Sequence, residues 1–403
     1  MTRQIPIARP WLGEAEAEAA RAVVLSGWVM QGPKVAEFER GFAEFVGAKY
    51  ACAVSSGTAA LILALKAIGV GHGDVVLTVS HSFIATANVV RACGAEPVFV
   101  DIERAGYNID PDALGKLLAE QCRRDGGVLF YKDVERLLSL KETPLHSAKA
   151  PIGRVAAILA VHQVGFPCDV AAIERLAQQY RIPWIEDAAC AIGSQRNGRI
   201  GQPHSIAACF SFHPRKLITT GDGGMITTNS AEIDSACRRW REHGLTPAGP
   251  GGKIETYAST GYNYRLTDIQ AAIGIEQLVR LPEQIERRRA QVAKYREGLA
   301  GNPVFRIWPE PRDTISNWQS LPADIGGSSM TTERAIAALA ADGISAKPGI
   351  MNAHREPPYS GVWTLPESEK RHRETVLLPL YYELDDSDIA RVTGILAQIA
   401  AHG

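Results

Sequence analysis

CFSFHPRKLITTGDGGMITT, residues 209–228, is an apolar run that ends in a basic triplet and continues into a glycine-rich turn and a second apolar run. The stretch predicts a strand, a turn and another strand, because Gly221, Gly223 and Gly224 permit backbone angles that other residues avoid. This arrangement brings Lys216 to the mouth of a buried strand. A lysine there is either an ordinary solvated side chain, as most lysines are, or one whose amine reacts.

Apolar, β-rich runs alternate with helical patterns around this stretch, from about residue 50 to residue 275. Most runs are too uniformly apolar for a strand with one solvated face. The pattern is typical of an α/β fold, in which helices cover both faces of a mostly parallel sheet. The predicted strands lie at residues 50–55, 75–79, 96–101, 155–162, 182–187, 207–212 and 224–228.

The length of 403 residues exceeds the size at which a single hydrophobic core stops growing, so we expect two domains. The larger one takes residues 1–275, with the predicted sheet and Lys216, and the smaller α+β domain takes residues 276–403. After residue 275 the sequence predicts a charged helix over residues 280–301, whose arginines face solvent, and further helices near residues 331–342 and 385–402.

Composition excludes several classes of protein. Lys and Arg number 43 against 44 for Asp and Glu, so no net charge favours nucleic acid or a membrane surface as a partner. The seven cysteines are scattered, without a C-x-x-C pair, so neither a disulfide framework nor a metal site is predicted. No apolar stretch is long enough for export or for spanning a membrane. We therefore expect a cytoplasmic protein that acts on small molecules.

Ligands of open α/β sheets bind beyond the carboxyl ends of the strands, so residues that follow strands are candidates for chemistry. Taken singly, each has an ordinary interpretation, such as helix capping for Gly57, Thr58 and Asp187 or core packing for Phe83. Taken with Lys216, they describe a pocket for pyridoxal 5′-phosphate (PLP), with a phosphate cradle, a ring-stacking aromatic, a carboxylate for the ring nitrogen and an amine for the aldehyde.

Several segments carry a resemblance to a known family. The order and spacing of these segments match that family over roughly residues 5–300, with a fainter match at residues 378–380. The matching segments are GWVMQGPKVAEFE (27–39), SSGTAALILAL (55–65), SHSFIATAN (80–88), GAEPVFVDIE (94–103), IEDAACAIGS (185–194), the opening stretch (209–228), REHG (241–244) and GYNYRLTDIQAAIGIEQL (261–278). Through these segments the chain resembles the DegT/DnrJ/EryC1/StrS family of PLP-dependent sugar aminotransferases, which implies the aspartate-aminotransferase fold (fold type I) and a homodimer.

The resemblance also implies roles for individual residues. Lys216 matches the lysine that bonds to the cofactor and is left as a free amine when the cofactor is in its pyridoxamine 5′-phosphate form. Asp187 matches the partner of the ring nitrogen and Phe83 the stacking position. The phosphate binders correspond to Gly57, Thr58, Ser211 and, from the neighbouring subunit, Asn263.

Two features depart from the family. Cys190 stands beside the cofactor's phenolic oxygen, where many members have Gln or His, which are stronger hydrogen-bonding groups. The segment over residues 122–154 is longer than the usual link, and such segments are either functional or disordered. The resemblance implies that the small domain approaches the substrate through residues 316–320 and 347–359, which makes Trp318, His354 and Arg355 substrate candidates. Each of them has an equally good structural interpretation.

The leading hypothesis is transfer of an amino group from L-glutamate to a keto-deoxy nucleotide sugar. An alternative is PLP-dependent deoxygenation of a nucleotide sugar, but dehydratases of the family replace the lysine with histidine. A third is a non-catalytic sensor on the same fold, which the presence of Lys216 and Asp187 argues against. No motif fixes the nucleotide, the sugar, or amination at C3 or C4.

Overall fold

A nine-stranded sheet forms the centre of the larger part of the molecule. The computed structural model describes residues 3–202, 204–246 and 256–401. The strands are β1 (Tyr50–Val54), β2 (Asp74–Val79), β3 (Glu96–Val100), β4 (Cys122–Asp125), β5 (Val128–Tyr131), β6 (Arg154–Val161), β7 (Trp184–Asp187), β8 (Gln195–Arg196), β9 (Ala207–Ser211), β10 (Gly224–Thr228), β11 (Leu245–Thr246), β12 (Thr256–Tyr257), β13 (Thr314–Ile315), β14 (Leu321–Asp324), β15 (Lys347–Pro348) and β16 (Thr375–Leu378).

Helices surround the sheets. They are α1 (Glu14–Ser26), α2 (Pro33–Val46), α3 (Gly57–Ala67), α4 (Ala85–Ala92), α5 (Pro111–Glu120), α6 (Val134–Leu138), α7 (Val170–Tyr180), α8 (Ala231–Arg241), α9 (Asp268–Gly298), α10 (Thr332–Ala341), α11 (Pro366–Arg373) and α12 (Asp386–Ala401). Three short 3-10 turns lie at Pro144–Ser147, Gln163–Gly165 and Ala353–Arg355. Among the described residues, no helix is both long and apolar enough to cross a membrane.

The order of the main strands places the candidate site. Seven of them run β1-β10-β9-β7-β6-β2-β3. Strand β10 is antiparallel to both neighbours, whereas every other pair along this path is parallel. The carboxyl ends of the other six strands therefore meet at one edge, where an open α/β sheet binds its ligand.

Both faces of this sheet are covered. Along β1, Ala51 and Ala53 pack into one hydrophobic core, and Cys52 and Val54 pack into another on the opposite face. Successive side chains of a strand point to opposite faces, so a strand buried on both sides is apolar throughout. The predicted α/β fold, with a mostly parallel sheet covered by helices, is confirmed.

Helix α9 joins this sheet to a third core. Ala271 and Leu281 pack in the sheet core, whereas Val292 and Tyr295 pack against the small sheet β14-β16-β15 and its helices. The predicted start of a helix at residue 280 is wrong, because α9 begins at Asp268 and continues through Pro282. The Thr267–Gln270 capping box and packing along 31 residues compensate for the hydrogen bond that the proline lacks.

The two-domain division at residues 275 and 276 stays a prediction, since both residues lie inside α9. The N-terminal segment also contributes to the third core, where Ile5 is fully buried. The long segment over residues 122–154 forms the β4–β5 hairpin, the short helix α6 and a 3-10 turn. Arg136 of α6 stacks on Trp363 at 4.2 Å, which attaches the segment to the C-terminal part of the chain.

Candidate active site

A cavity of about 580 Å³ lies where the carboxyl ends of the sheet strands meet the small sheet. Its walls come from both parts of the chain, because Ser56 and Ser82 lie on one side and Pro348 and Leu377 on the other. Of the sequence-predicted site residues, the structure brings together Gly57, Thr58, Phe83, Asp187, Cys190, Ser211 and Lys216 on its surface.

Asp187 ends β7 and is almost wholly buried, with 5% of its surface exposed. The Thr86 hydroxyl donates a hydrogen bond to Oδ2 (2.8 Å), and the Ala189 N–H donates one to Oδ1 (3.2 Å). Burial raises the pKa of this carboxyl group, and the bond from Thr86 opposes the shift. Both hydrogen-bond donors are neutral, so the site favours a further, cationic partner for the carboxylate.

Lys216 lies in the turn between β9 and β10, and its Nζ donates a hydrogen bond to Cys190 Sγ at 3.2 Å. Glycine makes this turn possible, because a Cβ on Gly224 would lie 2.4 Å from the Ser56 backbone oxygen. Only glycine therefore lets the start of β10 pass beside the start of α3. This contact places the turn that carries Lys216 and the start of α3 side by side at the same cavity.

The start of α3 provides free backbone donors. The Ser56 hydroxyl accepts a hydrogen bond from the Ala59 N–H (3.1 Å), and helix geometry leaves the N–H groups of Gly57 and Thr58 without intrahelical acceptors. Ser211 packs directly against this terminus, since a Cβ on Gly57 would lie 2.8 Å from the Ser211 Cβ. Backbone donors, a hydroxyl and the positive end of the helix dipole together suit a phosphate.

Phe83 follows β2 and lines the same cavity, with 64% of its surface exposed. A large aromatic side chain exposed to this extent inside a cavity has surface available for a flat ligand. Asn263 is also exposed, but it lies outside the cavity and forms an isolated β-bridge with Glu242.

The structure does not bring the three substrate candidates of the C-terminal part of the chain to the cavity. Trp318 is buried and donates through Nε1 to Glu310 (2.7 Å). His354 is buried too, with Nδ1 at 2.6 Å from the Ser80 hydroxyl, and burial lowers its pKa. Arg355 is exposed and faces Glu369 at 3.8 Å. These contacts engage all three side chains away from the cavity.

Sequence reasoning missed several residues that do line the cavity. Thr86 lies within the matched segment 80–88, three residues after Phe83. In a helix this spacing brings two side chains to the same face, which is the signal that could have identified it. Gln319 directly follows Trp318 and faces the cavity in its place. The cavity is also lined by Lys347 and by Arg215, which directly precedes Lys216. Among the described residues, no cluster of His, Cys, Asp and Glu is arranged to hold a metal ion.

Solved structures share this architecture over nearly the whole chain. The aminotransferase TlmJ from Streptoalloteichus hindustanus is 30% identical, with a TM-score of 0.84 and 100% of each chain covered. DesI, solved with its TDP-sugar product, is 26% identical, with a TM-score of 0.83 and with 100% of this chain and 94% of that chain covered. A putative sugar aminotransferase from Streptococcus pneumoniae, solved in its PLP form, shares the fold at 23% identity and a TM-score of 0.84, with 99% of each chain covered.

The sequence itself matches a family model across almost its full length. The model is that of the DegT/DnrJ/EryC1/StrS aminotransferase family, and the match extends over residues 10–397. Members of this family use PLP, and the cavity presents the residue types that this cofactor needs. The chain belongs to the DegT/DnrJ/EryC1/StrS aminotransferase family and is a PLP-dependent aminotransferase.

Proposed function

We propose that the protein transfers an amino group from L-glutamate to a keto-deoxy nucleotide sugar. The observation that carries the proposal is that the Lys216 amine and the buried Asp187 carboxylate line one cavity with the open start of α3. The nucleotide-sugar acceptor is supported by DesI, which was solved with its TDP-sugar product. Glutamate as donor follows from the family resemblance.

The residues of the cavity fit PLP. The N–H groups of Gly57 and Thr58, with the Ser211 hydroxyl, would bind its phosphate. Phe83 would stack on the ring, and the Asp187 carboxylate would accept a hydrogen bond from the protonated ring nitrogen. Bound PLP supplies an electron sink for the substrate carbon that loses its proton.

Lys216 then acts as the proton carrier. Its Nζ would take the proton from the α-carbon of the donor and pass it on to the bound cofactor, and in the acceptor half of the cycle it would carry a proton the opposite way, to the substrate carbon. Cys190 Sγ, 3.2 Å away, accepts a hydrogen bond from Nζ and orients it. A thiol is a weak acceptor, so this side chain directs the amine without holding it strongly.

Thr86 has a positioning role that acts through Asp187. Its hydroxyl lies 2.8 Å from Asp187 Oδ2 and also 2.8 Å from the Ser82 hydroxyl. The hydrogen bond to the carboxylate lowers the pKa of Asp187 against the effect of burial. Thr86 thereby helps to keep the charge that holds the ring nitrogen protonated.

Thr86→Val keeps the shape of the side chain but removes this hydrogen bond. The pKa of Asp187 then rises further. As the pH falls, the carboxylate is therefore protonated at a higher pH than in the wild type, and cofactor binding is lost at that higher pH. We expect roughly tenfold weaker binding of pyridoxamine 5′-phosphate, which forms no bond with Lys216, because a hydrogen bond to a charged group is lost. Fluorescence titration of the apoenzyme across a pH series measures both effects.

Thr78→Val is the matched control, because the Thr78 hydroxyl makes an equally buried 2.8 Å hydrogen bond to the Leu159 backbone oxygen in the same sheet. It should leave the pH profile of cofactor binding unchanged. Identical profiles for Thr86→Val and the wild type would refute the role given to Thr86.

We propose a homodimer whose active sites are shared between subunits. The observation behind it is an exposed apolar patch at the C-terminal end of α1 and in the residues that follow it, with exposed fractions between 43% and 70% for Val24, Leu25, Trp28, Val29 and Met30. Such a surface is typical of an interaction site. Asn263 is exposed and outside its own cavity, which agrees with donation to a phosphate bound by the other subunit.

Subunit exchange tests the shared site. Lys216→Ala and Asn263→Ala proteins, each impaired alone, are mixed one to one under conditions that exchange subunits. If Asn263 serves the other subunit, each mixed dimer contains one site with both substitutions and one intact site. About a quarter of all sites then recover activity, by the symmetry of a two-fold interface. Absence of recovery after verified exchange would place Asn263 in the site of its own subunit.

A panel of keto nucleotide sugars tests the overall reaction. The panel varies the nucleotide and the position of the keto group, and L-glutamate is the donor. We expect 2-oxoglutarate and an aminated sugar in matching amounts, and a loss of rate of at least about 10³-fold in Lys216→Ala, because the proton carrier is absent. A deoxygenated product without an added amino group, or reaction of glutamate with simple keto acids alone, would contradict the proposal.

A further inference from the structure

The mouth of the cavity carries positive charge that the cofactor contacts do not use. Arg215 and Lys347 both line it and are exposed. Neither side chain makes an ion pair or a hydrogen bond with another of the described residues. Apart from Asp187, the one carboxylate on the described cavity surface is that of Asp222, which is also exposed.

Arg215 has a fixed backbone and a free side chain. Its N–H donates to His213 Nδ1 (3.2 Å), and its backbone oxygen accepts from Gln319 Nε2 (2.8 Å). These bonds hold the residue beside Lys216 from two directions. The guanidinium, a planar group that binds carboxylates and phosphates through two parallel hydrogen bonds, remains available to a ligand.

Lys347 faces the cavity from the small sheet. It pairs with Leu377 across β15 and β16, and two residues later the Gly349 N–H donates to the Thr375 backbone oxygen (2.8 Å). The strand therefore fixes the base of the side chain, while the ammonium group stays exposed. Arg215 and Lys347 thus approach the cavity from separate elements of the fold.

The charges at this mouth influence a neighbouring histidine. Burial and the positive charge of Arg215 lower the pKa of His213, Asp222 opposes the shift, and Lys216 adds to it. Asp222 therefore offsets part of the positive field that Arg215 and Lys216 produce at this histidine. The His372 ring lies on the same cavity surface.

We propose that Arg215 and Lys347 bind the anionic group by which a substrate is held during transamination. This inference rests on the proposed function, in which donor and acceptor enter one cavity in turn and present their reacting carbons to the same Lys216 Nζ. Glutamate and a nucleotide sugar have little in common besides negative charge, in carboxylates and in a diphosphate. A pair of cations at the mouth is a feature that both can use.

The test measures binding of two unreactive anions to the holoenzyme by titration calorimetry. Inorganic pyrophosphate represents the diphosphate of the acceptor, and glutarate represents the carboxylates of the donor. Arg215→Met and Lys347→Met should each weaken at least one probe by about tenfold or more, because a charge-assisted contact is lost. Arg215→Lys and Lys347→Arg, which keep the charge, should recover part of the affinity.

Lys141→Met and Arg312→Met are matched controls, since both residues are exposed and lie away from the cavity. They should bind both probes as the wild type does. The absorbance of bound PLP, unchanged in every variant, verifies that each protein is folded and loaded.

Weakened pyrophosphate binding assigns the pair to the acceptor, and weakened glutarate binding assigns it to the donor; either result supports the proposal. Equal binding of both probes by the wild type and the cavity variants, or failure of the wild type to bind either probe, overturns it. Because neither probe can be transaminated, these results do not depend on which sugar is the acceptor. Failure of the sugar panel and failure of this inference are therefore separate outcomes.

Discussion

A buried carboxylate that lacks a charged hydrogen-bonding partner determines the arrangement of this active site. Asp187 sits at the end of β7 with 5% of its surface exposed and receives hydrogen bonds only from the neutral donors Thr86 and Ala189. Keeping a charge at such a place costs free energy unless a cation compensates it. The protonated ring of PLP is such a cation, so the site favours the form of the cofactor that works as an electron sink.

The rest of the fold brings partners to that carboxylate. Parallel strands direct their carboxyl ends to one edge, and the antiparallel strand β10 returns the chain past the start of α3. The close contact between Gly224 and Ser56 makes this return possible, and the turn that precedes it carries Lys216. One chain segment therefore connects the amine to the helix terminus that suits a phosphate. The small sheet completes the cavity with Lys347, opposite the sheet edge that carries Asp187.

Much of this was predictable from the sequence, because local patterns determine it. Buried parallel strands are apolar throughout, and the glycines after Lys216 mark a turn that other residues would not permit. The α/β fold was therefore predicted correctly. The cofactor was predicted from the set of residues that follow the strands, and the family from the resemblance of the matched segments. The substrate candidates in the C-terminal part of the chain illustrate the limit. Trp318 was a substrate candidate because the family resemblance places residues 316–320 near the substrate, but its ring fills a core, and the neighbouring Gln319 faces the cavity instead. Which of two adjacent residues turns inward depends on tertiary packing, as does the pairing of Thr86 with a residue 101 positions away.

The central claim is that Lys216 is the residue to which the cofactor bonds. Reduction of the holoenzyme with borohydride, followed by proteolysis and mass spectrometry, tests it most directly, because reduction makes the bond between lysine and cofactor permanent. The account predicts that the mass of the reduced cofactor lies on the peptide that contains Lys216 and that Lys216→Ala protein is not labelled. A label on another lysine, or an equal yield of labelled protein from Lys216→Ala, would contradict it.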